Sequence, residues 1–309
     1  MRILRAKHLG MCFGVKDAIA MAQSSAAQNP EPLTILGDLV HNPTVLEDLR
    51  RQGIRFAPLS LEAPQGPVMI TAHGTSDHIR ALLSHQTSTV LDGTCPLVHH
   101  AHQALRALVD TGHYPVVVGV AGHVEVRGLT GDFEEFSVVL TENDFRDMPR
   151  RARYGVVAQT TQPIARVTDL VSAMRRHFPD AAVEFRDTVC RPTKQRQQAA
   201  EALARICDVV VVIGGRHSNN TRELAATCAG AGARSLRIEQ ASELRPEWFD
   251  QAETVGITAG TSTPDADIEA AEAWLQSLAA RRGGSGEQTH EWMGSIPDRF
   301  PASSEVTGR

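Results

Sequence analysis

No apolar run in this 309-residue chain approaches the roughly 18 residues that a membrane-spanning helix needs. The opening stretch, Met1 to Gly10, lacks the apolar core of a secretory signal. Basic residues are not in excess. The net charge is −5 and the pI near 6.2, which leaves no electrostatic footprint for duplex nucleic acid. Cysteine is sparse at five residues, too few for a disulfide framework, so any that are used chemically point to metal binding or catalysis. These exclusions predict a soluble cytoplasmic protein with no nucleic-acid or membrane partner. At 42% hydrophobic, the chain can bury a substantial core, split over two or three domains.

The five cysteines divide by context. Cys207 continues an apolar stripe with Ala199, Leu203 and Ile206, and Cys228 follows Leu224 at helical spacing, so both read as core. The other three sit at turns. Cys12 lies in Gly10-Met11-Cys12-Phe13-Gly14-Val15. Cys95 and Cys190 each close an Asp-x-x-Cys, in Asp92-Gly93-Thr94-Cys95-Pro96 and Asp187-Thr188-Val189-Cys190-Arg191-Pro192. We expect Cys12, Cys95 and Cys190 to meet in space and hold one metal centre.

Apolar, β-branched runs alternate with amphipathic helical patterns, the signature of parallel α/β units. The clearest strands are 33–40, 67–72, 115–120, 154–158, 208–213 and 254–258. Leu97, Ala101, Leu105 and Leu108 make one helical stripe, and Ile164, Val167, Leu170, Val171, Met174 and Phe178 another. Thr44-x-x-Glu47 and Asn220-x-x-Glu223 fit capping boxes, and Thr263-Pro264-Asp265 fits a helix start with Pro at its first position. The cysteines cut the chain into comparable blocks, predicting three small α/β domains over 1–95, 96–189 and 190–281 in a pseudo-threefold trefoil. From 282 to 309 the composition turns to Gly, Ser, Pro and scattered charge, which reads as a mobile tail that Trp292, Met293 or Phe300 can pin.

Open parallel sheets bind ligands beyond the carboxyl ends of their strands. Beyond the predicted strands stand His41-Asn42-Pro43, His73-Gly74-Thr75, Gly122-His123 with Glu125, Gln159-Thr160-Thr161, Gly214 to Asn220, and Gly260-Thr261-Ser262-Thr263. Six strands thus end in hydrogen-bonding or proton-transfer groups. Asn220 and Thr263 also suit plain helix capping. A lone histidine after a strand is usually structural, but three, with Glu125 two residues from one, favour a site. By contrast His99, His100 and His102 are read as a solvated helix face. The Gly-Gly-x-x-Ser-Asn-Asn-Thr turn opening a helix suits a phosphate, although it is not a Walker loop.

Three cysteines and one histidine can hold tetrahedral zinc, but structural zinc sites cluster their ligands in close pairs. Thiols spaced 83 and 95 residues apart suit an iron–sulfur cubane better, with one iron left free of protein.

Together Gly-x-Cys12-x-Gly-Val, Val40-His41-Asn42, Ala72-His73-Gly74, Asp92-x-Thr-Cys95-Pro, Gly122-His123-x-Glu125, Gln159-Thr160-Thr161, Asp187-Thr-x-Cys190-x-x-Thr-x-x-Arg196-Gln197, Ser218-x-Asn220 and Thr258-Ala-Gly-x-Ser262-x-Pro-Asp265 resemble the 4-hydroxy-3-methylbut-2-enyl diphosphate reductase family. These enzymes catalyse the last step of the methylerythritol phosphate route to isoprenoids. The resemblance runs in order from residue 1 to about 280. It implies a trefoil around a [4Fe-4S] cluster on Cys12, Cys95 and Cys190. It implies diphosphate binding by His41, His73, Ser218, Asn220 and Ser262, with neighbouring Asn219 in the same pocket. His123, Glu125 and Thr160 would lie near the allylic hydroxyl, with Glu125 as proton donor. The implied reaction is a two-electron reductive dehydroxylation giving isopentenyl and dimethylallyl diphosphate, with ferredoxin or flavodoxin as electron donor.

Four residues depart from the family pattern. Val124 stands where Pro is common, Asn219 where Ser is common, and Arg127 and Arg191 add charge beside motif residues. A paralogue with altered substrate, a non-catalytic iron–sulfur sensor or carrier, and a three-cysteine zinc hydrolase are the alternatives.

Overall fold

Val209–Ile213 is an unbroken run of buried β-branched residues, the pattern of a strand covered on both faces of a parallel sheet. That run is one of thirteen strands among the described residues of the protein. The structure, a computed structural model, describes residues 1–60, 64–87, 89–282 and 290–291. In chain order the first elements are β1 (Arg2–Arg5), α1 (Phe13–Gln28), β2 (Thr34–Leu36), α2 (Pro43–Arg51), β3 (Arg55–Ala57), β4 (Val68–Ile70), α3 (Asp77–Gln86) and β5 (Val90–Asp92). Then come α4 (Pro96–Asp110), β6 (Tyr114–Val118), α5 (Val124–Thr130), β7 (Ser137–Val139), β8 (Arg153–Ala158), α6 (Ile164–His177) and β9 (Ala182–Phe185). The last are α7 (Arg191–Ala204), β10 (Val209–Ile213), α8 (Asn219–Gly230), β11 (Arg234–Ile238), β12 (Thr254–Ala259), α9 (Asp265–Arg281) and β13 (His290–Glu291).

The strands form three sheets, β3-β2-β4-β5, β7-β6-β8-β9 and β11-β10-β12-β1-β13, and every pairing is parallel. The first four positions follow one pattern in each sheet, which makes the molecule a trefoil of three α/β units. In the third unit the fourth position is filled by the N-terminal strand β1, in register Arg2↔Thr254 through Arg5↔Ile257. Arg2–Arg5, counted in the expected 1–95 block, thus pair within the sheet of the 190–281 block. Strand β13 adds Leu4↔His290 and Arg5↔Glu291 at the outer edge of β1. The rest of the expected tail, Trp292, Met293 and Phe300 included, lies outside the described residues.

Each helix after a cysteine packs on the next sheet. Ala18 and Ala22 of α1 join Leu33, Ile35 and Met69. Ala101, Leu105 and Leu108 of α4 join Val117 and Val157. Ala199, Ala200 and Leu203 of α7 join Leu4, Val210 and Val212, with Cys207 and Cys228 in the same cluster. Three covalent crossovers at cysteines thus lock the units together.

Several local expectations shift. Gly37, at φ +97°, ends β2 before the apolar run 33–40 is exhausted. Asn42 and Ser218, not Thr44 and Asn220, cap α2 and α8, accepting the N–H of Val45 at 3.2 Å and of Thr221 at 3.3 Å. Pro264 precedes α9 as its cap residue rather than opening it. Val98 takes the buried place expected of Leu97, and Ile206 is exposed. His102 is half-buried against Gly74, not on a solvated face, and its Nε2 has no hydrogen-bond partner among the described residues. No described helix is long and apolar enough to cross a membrane.

Candidate active site

Cys12, Cys95 and Cys190 occupy equivalent places. Each is the cap residue, in extended backbone, of the helix that leaves one unit for the next. Each also donates its backbone N–H to the loop beyond a neighbouring central strand. Cys12 bonds Thr261 O at 3.1 Å, Cys95 bonds Ala72 O at 3.1 Å, and Cys190 bonds Thr160 O at 3.0 Å. These three carbonyls immediately precede Ser262, His73 and Thr161. A corner of the thiol set is therefore pinned to the loop that carries polar side chains into the site.

The Asp-x-x-Cys motif shapes two of these corners. Asp92 Oδ1 accepts the N–H of Thr94 at 3.0 Å, and Asp187 Oδ1 that of Val189 at 3.1 Å, closing a side-chain turn just before each cysteine. Gly14 answers to a different need. A Cβ there would lie 2.5 Å from Cys95 Sγ, so the backbone after Cys12 passes against the second thiol.

Burial pushes the Cys190 thiol up to about 11, against hydrogen bonds from Thr193, and raises Cys95 against backbone N–H groups of Leu97 and Val98. Uncoordinated, both are held as thiols, and a bound cation would convert them to ligands. Among the described residues, His41, His73 and His123 each offer a ring nitrogen within 4.8 Å of the others, a group close enough to hold a metal ion.

Those histidines come from three different strand-end loops. Ring centroids lie 4.6 Å apart for His41 and His73, 5.5 Å for His41 and His123, and 5.7 Å for His73 and His123. Desolvation lowers the pKa of all three, to about 4 for His123. His123 Nδ1 accepts the Glu125 N–H at 3.1 Å, which puts the ring proton of the neutral imidazole on Nε2. His41 Nε2, His73 Nδ1 and both side-chain polar atoms of Asn220 are buried with no hydrogen-bond partner among the described residues. Buried polar groups are rarely left so, which marks these atoms as waiting for a ligand.

Glu125 is 2% exposed, and burial raises its carboxyl to about 7. Its Oε1 accepts the backbone N–H of Thr160 at 2.6 Å. On the other wall, Gly215 lets the loop after β10 press onto the loop after β2. A Cβ on Gly215 would sit 2.1 Å from the His41 carbonyl oxygen. Ser218, Asn219 and Asn220 follow, all buried, and Ser262 Oγ lies 3.5 Å from the same carbonyl.

One cavity is lined by all twelve residues singled out in the sequence: Cys12, Cys95, Cys190, His41, His73, His123, Glu125, Thr160, Ser218, Asn219, Asn220 and Ser262. Sequence reasoning missed the apolar wall, Val15, Leu39, Leu97 and Val98, and the Thr193 hydroxyl, which accepts the Cys190 S–H at 3.0 Å. Of the four departures, Arg127 and Arg191 are exposed and line no part of the cavity. Val124 opens α5 without breaking the His123–Glu125 contact. Asn219 reaches the cavity but spends its side chain on protein, donating to Thr161 Oγ1 at 3.0 Å and accepting from Arg222.

Residues 3–276 match the family model described as LytB protein. The chain belongs to the LytB family. Curated relatives of this LytB chain include the 4-hydroxy-3-methylbut-2-enyl diphosphate reductase of Pelobacter propionicus, 38% identical over 85% of the chain and 94% of that protein. The enzyme of the same name from an Escherichia coli strain is 33% identical over 91% of the chain and 90% of that protein. A solved (E)-4-hydroxy-3-methyl-but-2-enyl diphosphate reductase superposes with a TM-score of 0.64 at 33% identity, over 90% of this chain and 100% of that one. The Plasmodium falciparum E-1-hydroxy-2-methyl-but-2-enyl-4-diphosphate reductase shares the LytB fold at a TM-score of 0.86 and 21% identity, over 97% and 95%.

Proposed function

We propose that this LytB chain reduces 4-hydroxy-3-methylbut-2-enyl diphosphate to isopentenyl and dimethylallyl diphosphate. Two electrons and two protons replace the allylic hydroxyl by hydrogen and release water. The observation that carries the reading is the meeting of three thiols, one buried carboxyl and a set of ligand-ready nitrogen donors in a single cavity.

The thiol set fits an iron–sulfur cubane better than a lone ion. Structural zinc sites gather their ligands in close pairs, whereas these three thiols each come from a separate helix start around one cavity. A [4Fe-4S] cluster on Cys12, Cys95 and Cys190 would supply electrons and a Lewis-acidic iron free of protein ligands. The chain's own residues do the rest. Glu125, still protonated near neutral pH, delivers a proton to the departing oxygen, and Thr160 holds the Glu125 carboxyl by its N–H. His41, His73, Ser218, Asn220 and Ser262 bind the diphosphate through oriented donors, with His123 beside the hydroxyl end. Val15, Leu39 and Leu97 face the five-carbon chain and exclude water. Electrons come from a carrier of the ferredoxin or flavodoxin kind.

A non-catalytic iron–sulfur sensor or carrier needs the three cysteines but has no use for Glu125 or the unpartnered diphosphate donors. Anaerobic purification and a reduced dye separate the readings. The expected protein is brown, carries about four irons and four sulfides per chain, and turns over the diphosphate. A cluster-loaded protein with no turnover would leave the sensor reading. A colourless, zinc-loaded protein after anaerobic reconstitution would remove the cluster.

A further inference from the structure

The Cys12 corner lacks the device that shapes the other two. Three residues before Cys95 and Cys190 stands an aspartate, whereas three residues before Cys12 stands Leu9. The turn is held from outside instead. Arg196, on the helix capped by Cys190, donates Nε and Nη2 to the Gly10 carbonyl at 3.0 and 2.7 Å, and Nη1 to Pro192 O at 3.1 Å. Gly10 is in the left-handed region at φ +76°, so its carbonyl orientation depends on such a hold.

Arg196 is only 7% exposed, and no carboxylate among the described residues pairs with it. A buried guanidinium that meets only carbonyl oxygens is costly, because neutral acceptors return only part of the hydration it lost. The acidic groups acting on it are the thiols of Cys12 and Cys190. Once these are thiolates, the cation has its counter-charge.

We infer that Arg196 is a positioning residue that sets the Cys12 turn against the Cys190 helix and raises the reduction potential of the metal centre. This rests on reading the three cysteines as cluster ligands. Reduction adds negative charge to a centre already bearing three thiolates. A fixed cation beside two of them favours the reduced state, and net charge is one of the terms that sets such potentials. Arginine suits the role because its planar fork reaches one carbonyl twice while keeping its charge at any working pH.

The test compares wild type, Arg196→Lys and Arg196→Gln as anaerobically loaded proteins. It reads iron content, midpoint potential by dye-mediated titration, and the rate of iron loss to a chelator. Arg196→Gln, which loses the charge, is expected to shift the midpoint to a more negative value. Arg196→Lys, which keeps the charge but not the fork, is expected to hold the potential while losing iron several-fold faster than wild type. An unchanged midpoint in a cluster-loaded Arg196→Gln overturns the inference and leaves Arg196 a simple strut. If circular dichroism finds Arg196→Gln unfolded, Arg196→Lys decides, and wild-type iron loss overturns the proposal. A wild type that binds no cluster would instead defeat the cluster reading, a separate outcome.

Discussion

Thr160 donates its backbone N–H to Glu125 Oε1 over 2.6 Å, while its carbonyl accepts the Cys190 N–H at 3.0 Å. One residue thereby holds a buried acid on one side and a thiol corner on the other. The proposed proton source and the thiol corner are fixed relative to each other through one residue's backbone, which loses less in mobility than two free side chains would.

Replacing Glu125 by Gln keeps the shape and the bond to Thr160 but removes the transferable proton. Dye-driven turnover should fall by about 10²–10⁴-fold, the usual worth of a general acid. The visible spectrum and iron content should stay as in wild type. Turnover within a few-fold of wild type would take Glu125 out of the mechanism.

The pH profile follows from the direction of two shifts. Burial raises Glu125 to about 7, so the carboxyl carries its proton below that pH and loses it above. His123 is lowered to about 4 and stays neutral through the working range. The rate at saturating dye should therefore fall as pH rises through about 7, with no matching ascending limb from His123. A flat profile from pH 6 to pH 9 would contradict the assignment.

Diphosphate binding should take up protons. Desolvation depresses His41 and His73 in the free protein, and an arriving polyanion favours their charged forms. Calorimetric titration near neutral pH, repeated in buffers of different ionisation enthalpy, measures the uptake. A buffer-independent heat would mean that neutral N–H donors do all of the binding.

Gly14→Ala places a methyl where Cys95 Sγ already sits, 2.5 Å away. Overpacking of this sort costs about 1–3 kcal/mol, and here the group that gives way is a proposed cluster ligand. Iron per chain should drop well below wild type, while Gly230→Ala, which meets nothing within 4 Å and sits in ordinary backbone, should leave the iron content as in wild type.

Asn219→Ser tests whether the least family-like cavity residue recognises substrate. Its amide serves Thr161 and Arg222, so the expected loss is about 1 kcal/mol of stability, read as a lower melting temperature. KM for the diphosphate should stay within a few-fold. A large rise in KM at unchanged stability would give Asn219 a direct part in binding.

The chain by itself determined the central strands and the strand-end residues, because continuous apolar runs and the polar groups that end them are local. It also determined the three cysteine corners, since glycine and Asp-x-x-Cys turns announce themselves over a few residues. The edge strands β3, β5, β7 and β9 were not legible, being short and half-exposed with mixed polarity. Only the tertiary structure decided that β1 completes the sheet of β10 to β12, because pairing Arg2 with Thr254 depends on contacts that no local period encodes. The same holds for Gly14 and Arg196. One is glycine because of a thiol 81 residues on, and the other holds a carbonyl 186 residues back. The sequence contains these residues, but their reasons exist only once the chain has closed on itself.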